Sequence, residues 1–386
     1  MRSTLLRVLF VVICLGLVAF GVVACGGTTT TTAPPATTAT TVTSATTAAT
    51  VAAETTTTAA GPTTTAAAAV QGPPQPIKVA FFSYDASASP MAVLKGLKDE
   101  AAKVGNIEID LIQGDFTSKT QETEFQDAMT SGKYAAYALE AADGVRMQPL
   151  VAAAGAKGVL GVMLDATLDD PRSSMQLENR PGLLCTMGYP LENQGAMFAD
   201  AILKACAAKK GDGKPAVVGI MPGIANFPVD SLRVEKIKGV LAQHSNITVV
   251  DMPPGGYAAP SAQKATLDFL QSRKDVDVMM VFADQMVQGV MAALEQSNLV
   301  PGKDVYLVGQ GASTEGVQWI KDGKMFGTLR LYPYTAGKAA VDAIANKLNG
   351  KTVPEVVNFF EQPPNFIFAD TLTQYPDFVG EWSFGQ

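Results

Sequence analysis

Histidine is nearly missing from this chain: His244 is the only one in 386 residues. It sits in Gln243-His244-Ser245-Asn246, with no cysteine or carboxylate at the spacing of a zinc site or a nucleophilic triad. It reads as an exposed helix-terminal residue. Cysteine is scarce too: Cys14 and Cys25 belong to the start of the chain, which leaves Cys185 and Cys206. One falls on an expected strand and the other on an expected helix, so two buried free thiols are expected; an oxidising compartment would also permit a disulfide. Basic side chains are outnumbered, 29 Lys and Arg against 36 Asp and Glu, for a formal charge of −7. With no basic run, nucleic acid is excluded as a partner. Gly309-Gln310-Gly311 lacks the third glycine and distal acid of a nucleotide fingerprint. A carboxylate pair such as Glu140 and Asp165 could in principle hydrolyse a glycoside, but nothing else points to catalysis. The expectation is no enzyme, no metal and no cofactor.

What is present begins at the amino terminus. Arg2 and Arg7, a long apolar run and Val22-Val23-Ala24-Cys25-Gly26-Gly27 have the layout of an export signal over residues 1–24. A single membrane-spanning helix would need a similar apolar length. The cysteine after Ala24 resembles a bacterial lipobox, which implies lipidation of Cys25 and anchoring on the extracytoplasmic side of the cell membrane. Residues 25–75 are almost wholly Thr, Ala and Pro, with Glu54 the one charge. Such a stretch has too few large apolar side chains to offset the entropy of ordering, so a flexible linker is expected. As a coil it spans about 40 Å.

From Ile77 onward, short apolar runs alternate with amphipathic stretches. Strands are predicted at 77–82, 107–112, 135–139, 161–164 and 183–186, and again at 216–221, 247–250, 278–282 and 305–308. Helices are predicted between them, among them 91–104, 191–209, 229–243, 260–272 and 285–297. Strand–helix alternation at this spacing implies an α/β fold with parallel sheets built from right-handed crossovers. Two successive runs give two doubly wound, Rossmann-like lobes joined by a hinge. Ligands of such sheets collect at the carboxyl ends of the strands.

The order and wording of the segments resemble the type I periplasmic binding proteins, closest to the ribose- and galactose-type sugar-binding proteins of ABC importers. The resemblance rests on Ser83 to Met91 followed by Leu94-Lys95-Gly96, on Val162-Met163-Leu164-Asp165, and on Met221-Pro222-Gly223. It continues through Phe282 to Gly289, Val308-Gly309, Ile320 to Lys324, and Gly337-Lys338-Ala339-Ala340. It implies a first lobe of residues 76–187 plus 332–361, a second of 188–331, and a tail, 362–386, across the lobe junction. Function would be capture of a small polar ligand, most often a sugar, by lobe closure and its delivery to an ABC permease. A monomer is implied. Sensory signalling to a receptor, a non-sugar ligand such as a nucleoside or amino acid, and a ligand-free structural role remain as alternatives.

Carried over position by position, the resemblance puts Asp165 at the family's sugar-binding aspartate, with a turn or helix-cap role as the alternative. Ser89 falls at its first-loop asparagine, Met91 at its first aromatic residue and Glu140 near an asparagine. Other positions depart. The cleft arginine falls at Lys236, with Arg233 a turn earlier; Ala283 replaces the asparagine before Asp284. Gly311 replaces an aspartate beside Gln310, and Leu331 replaces the hinge glutamine beside Tyr332. Tyr84, Asp85, Phe227, Asp230, Tyr257 and Tyr332 are candidates to take over the missing contacts.

Overall fold

The structure, a computed structural model, describes residues 75–165, 167–170, 176–225 and 227–385. The expected signal segment, Cys25 and all but the last residue of the linker lie outside the described residues.

Two six-stranded sheets share one strand order. The first contains β1 (Ile77–Ser83), β2 (Ile107–Gln113), β3 (Ala136–Leu139), β4 (Leu160–Asp165), β5 (Leu183–Gly188) and β11 (Val356–Asn358), arranged β2-β1-β3-β4-β5-β11. The second contains β6 (Ala216–Met221), β7 (Ile247–Asp251), β8 (Val278–Val281), β9 (Tyr306–Gly311), β10 (Gly327–Arg330) and β12 (Phe366–Phe368), arranged β7-β6-β8-β9-β10-β12. All pairs are parallel except β10 with β12. Sequence explains which strands are central. β3 and β8, Ala-Tyr-Ala-Leu and Val-Met-Met-Val, are buried at every position, as strands covered on both faces must be. β2 and β7 interrupt their apolar residues with Glu108, Asp110 and Asp251 and sit at the edges.

Helices cover both faces of each sheet. Those of the first lobe are α1 (Ala88–Val104), α2 (Ser118–Thr130), α3 (Gly144–Ala156) and α9 (Pro333–Leu348). Those of the second are α4 (Leu191–Lys210), α5 (Pro228–Leu241), α6 (Ala259–Ser272), α7 (Asp284–Gln296), α8 (Thr314–Lys321) and α10 (Ala369–Gln374). Cys185 on β5 and Cys206 on α4 are buried free thiols. Among the described residues no helix is long and apolar enough to cross a membrane.

The chain passes between the lobes three times: after β5, after β10, and between β11 and β12. Tyr189, Tyr332, Phe359 and Phe360 pack together at these crossings, with ring centroids 5.2–6.4 Å apart. The Tyr332 N–H donates to the Tyr189 hydroxyl, and the Tyr332 hydroxyl donates to the carbonyl of Gln362. The third crossing carries the chain from residue 362 into the second lobe. Phe366–Phe368 is an edge strand of the second sheet, and α10 packs beside it. The aromatic run Phe366-Ile367-Phe368 finds an apolar seat there, against Phe198 and Phe326. Beyond α10, Glu381 accepts from Thr335 on α9, and the Trp382 indole N–H donates to Gly311 at the end of β9. That last stretch therefore ties one lobe to the other.

α1 and α9 pack at glycine. A Cβ on Gly96 would lie 2.1 Å from the carbonyl oxygen of Tyr334, and one on Gly337 would lie 2.1 Å from that of Val93. Neither backbone can give way without moving a helix. Replacing a helix-interior glycine by alanine ordinarily gains about 0.8–1 kcal/mol. Gly96→Ala is instead expected to lose about 1–3 kcal/mol from overpacking and to lower the thermal unfolding midpoint by several degrees. A raised midpoint would refute the close approach.

Candidate ligand-binding site

The carboxyl ends of both sheets face one small cavity. From the first lobe it takes Tyr84, just past β1, with Glu140, just past β3, and Asp165, the last residue of β4. Phe116 from the β2–α2 loop and Ser87, Ser89 and Pro90 at the start of α1 complete that wall. The second lobe contributes Phe227 and Arg233 around α5, Tyr257, Phe282, Gln285 and Gln310. Leu331 at a crossing and Trp382 from the carboxyl-terminal stretch close the floor. The enclosed volume is about 80 Å³. A larger open hollow of about 590 Å³ lies at the other end of the first sheet, where β4 and β5 begin. It is far from the strand ends where this topology gathers ligands.

Aromatic rings make the cavity small. Phe116 stacks on Tyr84 of its own lobe at 5.4 Å and on Tyr257 of the other at 5.8 Å, the planes 7° and 10° apart. Phe227 meets both Tyr84 and Phe116 edge-on at 6.0 Å. Phe116 holds φ at +60°, a sparsely allowed value for a bulky residue. Its N–H donates to the carbonyl of Tyr84, and Gly114, two residues earlier, leaves no room for a Cβ against the carbonyls of Ser83 and Tyr84.

Two polar clusters flank the rings. In the first lobe the Tyr84 hydroxyl donates to Asp165 Oδ2 at 3.0 Å. Burial, with Asp165 and Glu140 nearby, pushes the Tyr84 phenol well above its usual range, so it stays a donor. Asp165 has φ +72°, a conformation aspartate tolerates better than most residues. In the second lobe Asp230 accepts from the N–H groups of Gly223 and Ile224 and from the Tyr257 hydroxyl, and pairs with Arg233 at 3.2 Å. Arg233 also donates to Gln194 and lies over the ring of Phe282.

Three buried side-chain oxygens on residues that line this cavity have no partner among the described residues: Glu140 Oε2, Gln285 Oε1 and Gln310 Oε1. Their residues are 4%, 8% and 5% exposed. Burial, reinforced by Asp165 and Asp85, pushes the Glu140 carboxyl well above the ordinary carboxylate range. An unpaired buried acceptor costs about 1–3 kcal/mol. Three such oxygens on residues around one cavity are three unmet hydrogen bonds.

Of the sequence candidates, Tyr84, Ser89, Glu140, Asp165, Phe227, Arg233 and Gln310 line the cavity, and Tyr257, one of the possible replacements, lines it too. Five do not. Asp85 turns back to accept from the N–H of Ser87 ahead of α1. Met91, one helical position too far round, faces a separate surface hollow. Lys236 lays its stem over Gly195 and pairs with Glu192 on α4. Asp284 is fully buried inside the second lobe, accepting from the N–H and hydroxyl of Ser313 and the hydroxyl of Thr328. Tyr332 is taken up by the crossings. Phe116, Phe282, Gln285 and Trp382 were not anticipated; an aromatic residue beside the turn-forming Gly114-Asp115 was the one available signal for Phe116.

A sequence profile of the periplasmic binding protein domain matches residues 79–352. The chain belongs to the periplasmic binding protein family. This binding protein is 24% identical over 268 residues to the ribose import binding protein of Bacillus subtilis, a match covering 69% of the chain and 80% of the relative. It is 24% identical over 165 residues to a galactofuranose-binding protein of Escherichia coli, covering 42% of the chain and 50% of the relative. Among solved structures, a Mycobacterium smegmatis protein in complex with β-D-fucofuranose superposes with a TM-score of 0.66 at 17% identity, covering 78% of this chain and 94% of that one. A Mycobacterium smegmatis ABC transporter solute-binding protein with bound glycerol gives 0.64 at 23%, covering 78% and 96%.

The Tyr84–Phe116–Tyr257 stack is the main aromatic contact between the lobes at the cleft. Phe116→Ala is expected to let the lobes part, raising the radius of gyration measured by small-angle scattering without ligand. An unchanged radius would show that the stack does not hold the cleft shut.

Proposed function

We propose that this binding protein captures a small polyhydroxylated ligand, a sugar or sugar-like molecule, and delivers it to an ABC importer. The observation that carries the proposal is the set of unpartnered acceptors at Glu140, Gln285 and Gln310 beside aromatic rings in a cleft between two lobes. Hydroxyl groups supply the missing donors, and the apolar faces of a sugar ring suit the aromatic walls. The relatives named for ribose and galactofuranose support the same chemistry. About 80 Å³ is well below the roughly 300–1,000 Å³ of ordinary ligand pockets. Entry therefore needs the lobes apart and the Phe116 ring displaced, and closure then buries the ligand. The closed form is what a permease would recognise. Asp165 is proposed as a hydroxyl acceptor, with Tyr84 aligning it; Gln310 and Arg233 take the opposite side. The protein acts by binding, without catalysis.

One observation favours a second reading, a structural lipoprotein without a ligand: the cleft is largely filled by its own rings. Unpaired acceptors count against it, because a cleft kept only for packing gains nothing from leaving them open. Thermal unfolding of the purified protein against pentoses, hexoses, polyols, nucleosides and amino acids separates the two. Ligand at 1,000 times its dissociation constant adds about 4 kcal/mol, a shift of several degrees, and Asp165→Ala is expected to abolish it. Silence across the panel would favour the structural reading, and full affinity in Asp165→Ala would remove the proposed contact.

We further propose that Cys25 carries the lipid that holds the protein at the extracytoplasmic membrane surface. Cys25→Ala is expected to move the protein from the membrane to the soluble fraction on cell fractionation. Continued membrane association would exclude a Cys25 anchor.

A further inference from the structure

The described residues lining the cavity bring two carboxyl groups and one cation. Glu140 and Asp165, at the ends of adjacent strands β3 and β4, both line it, and Arg233 is the one cation among the described lining residues. Arg233 is not available to them in full, since its guanidinium is bonded to Asp230 and Gln194. Among the described residues no lysine lines the cavity. The oxygen of Glu140 that lacks a partner is a carboxyl oxygen, and Tyr84, Phe116, Phe227 and Tyr257 present ring faces or edges around the same space.

Buried acceptors alone call for hydroxyl donors. A buried carboxyl beside a half-buried one, with a spent cation and an aromatic surround, calls for a positive charge that also donates. An ammonium group does both, with three N–H donors and an attraction to the electron-rich faces of aromatic rings. We infer that Glu140 and Asp165 form an amine subsite, and that the preferred ligand is a sugar or polyol bearing a protonated amino group. This inference rests on the ligand-capture reading above and narrows it.

It has a proton signature. Without ligand, burial together with Asp165 and Asp85 favours the protonated form of Glu140. Tyr84 on the same side is a neutral phenol, and Arg233 and Asp230 face it from α5 as a bonded pair. An ammonium beside Glu140 favours the ionised carboxyl, so binding expels its proton. Affinity for the amine should then rise with pH, by up to about tenfold per unit while Glu140 is protonated in the free protein. A neutral sugar that accepts the Glu140 proton in a hydrogen bond shows the opposite trend.

The test is titration calorimetry on the purified protein with matched sets: an amino sugar, its neutral parent and its N-acetyl derivative, for hexoses and pentoses, with ethanolamine as a bare amine. Measurement in buffers of different ionisation enthalpy counts the protons released. The expected result is at least tenfold tighter binding of one amine than of its neutral and acetylated counterparts, with proton release. Glu140→Gln should remove the release and weaken the amine by tenfold or more. Should that variant fail to fold, the pH trend and proton count of the unaltered protein still decide. Equal or tighter binding of the neutral parent overturns the amine subsite and leaves the capture reading standing. Silence from every amine at millimolar concentration also overturns it, and silence from the neutral sugars too would remove the capture reading with it.

Discussion

The meeting of the Tyr332 N–H with the Tyr189 hydroxyl fixes where the two lobes can face each other. Two of the three crossings pass at that point, and Phe359 and Phe360 of the third pack on the same rings. The apolar core is continuous there: one cluster of buried side chains runs from Val79 and Phe81 of β1 through Tyr189 and Phe198 to Val218 of β6 and Val278 of β8. A junction with this much buried aromatic surface restricts motion to a few backbone torsions. Relative movement of the lobes then opens or closes the far side of the cleft, where Phe116 and Tyr257 meet, more than the floor, where Leu331 and Trp382 sit.

The site illustrates a cost that stability alone would not select. Asp165 and Phe116 both hold positive φ, Glu140 is buried beside a second carboxyl, and two glutamine oxygens are left open. The second lobe treats its own buried acid differently. Asp284 is surrounded by the donors of Ser313 and Thr328, and Gly309, Gly311 and Gly316 leave it the space. Burial still pushes that carboxyl up to about 6. One buried carboxyl is saturated by donors, and the other keeps an oxygen without one.

Most of the architecture was legible in the sequence because the parallel strands are buried on both faces and read as unbroken apolar runs. The runs at 77–82 and 278–282 found β1 and β8 almost to the residue. Helix starts were read late, as at α1, which begins at Ala88 rather than Met91 because Pro90 fits the first turn. β11 and β12, three residues each, are too short for any periodicity to register. The candidate site was legible where a strand end fixes a residue, as for Tyr84, Glu140 and Asp165. It failed where a helix turns the side chain, as for Met91 and Lys236, and where a loop or the chain's end folds back, as for Phe116 and Trp382. Rotation about a helix and the path of a loop are set by tertiary packing, which local patterns do not encode.

The glycine contact between α1 and α9 joins residues 96 and 337, which are far apart along the chain. Each sheet takes one edge strand from near the carboxyl end, β11 for the first and β12 for the second, but the first lobe also waits for α9, whereas α4 to α8 and β6 to β10 of the second follow one another without interruption. A chain emerging amino end first can therefore begin to order the second lobe before the first is complete. The first lobe must wait for residues beyond 330, with its strand edges unpaired until then. Loop closure over such a distance is slow. The vulnerable interval in the life of this protein thus falls late in its synthesis, while α9 and β11 are still missing from the lobe that comes first in sequence.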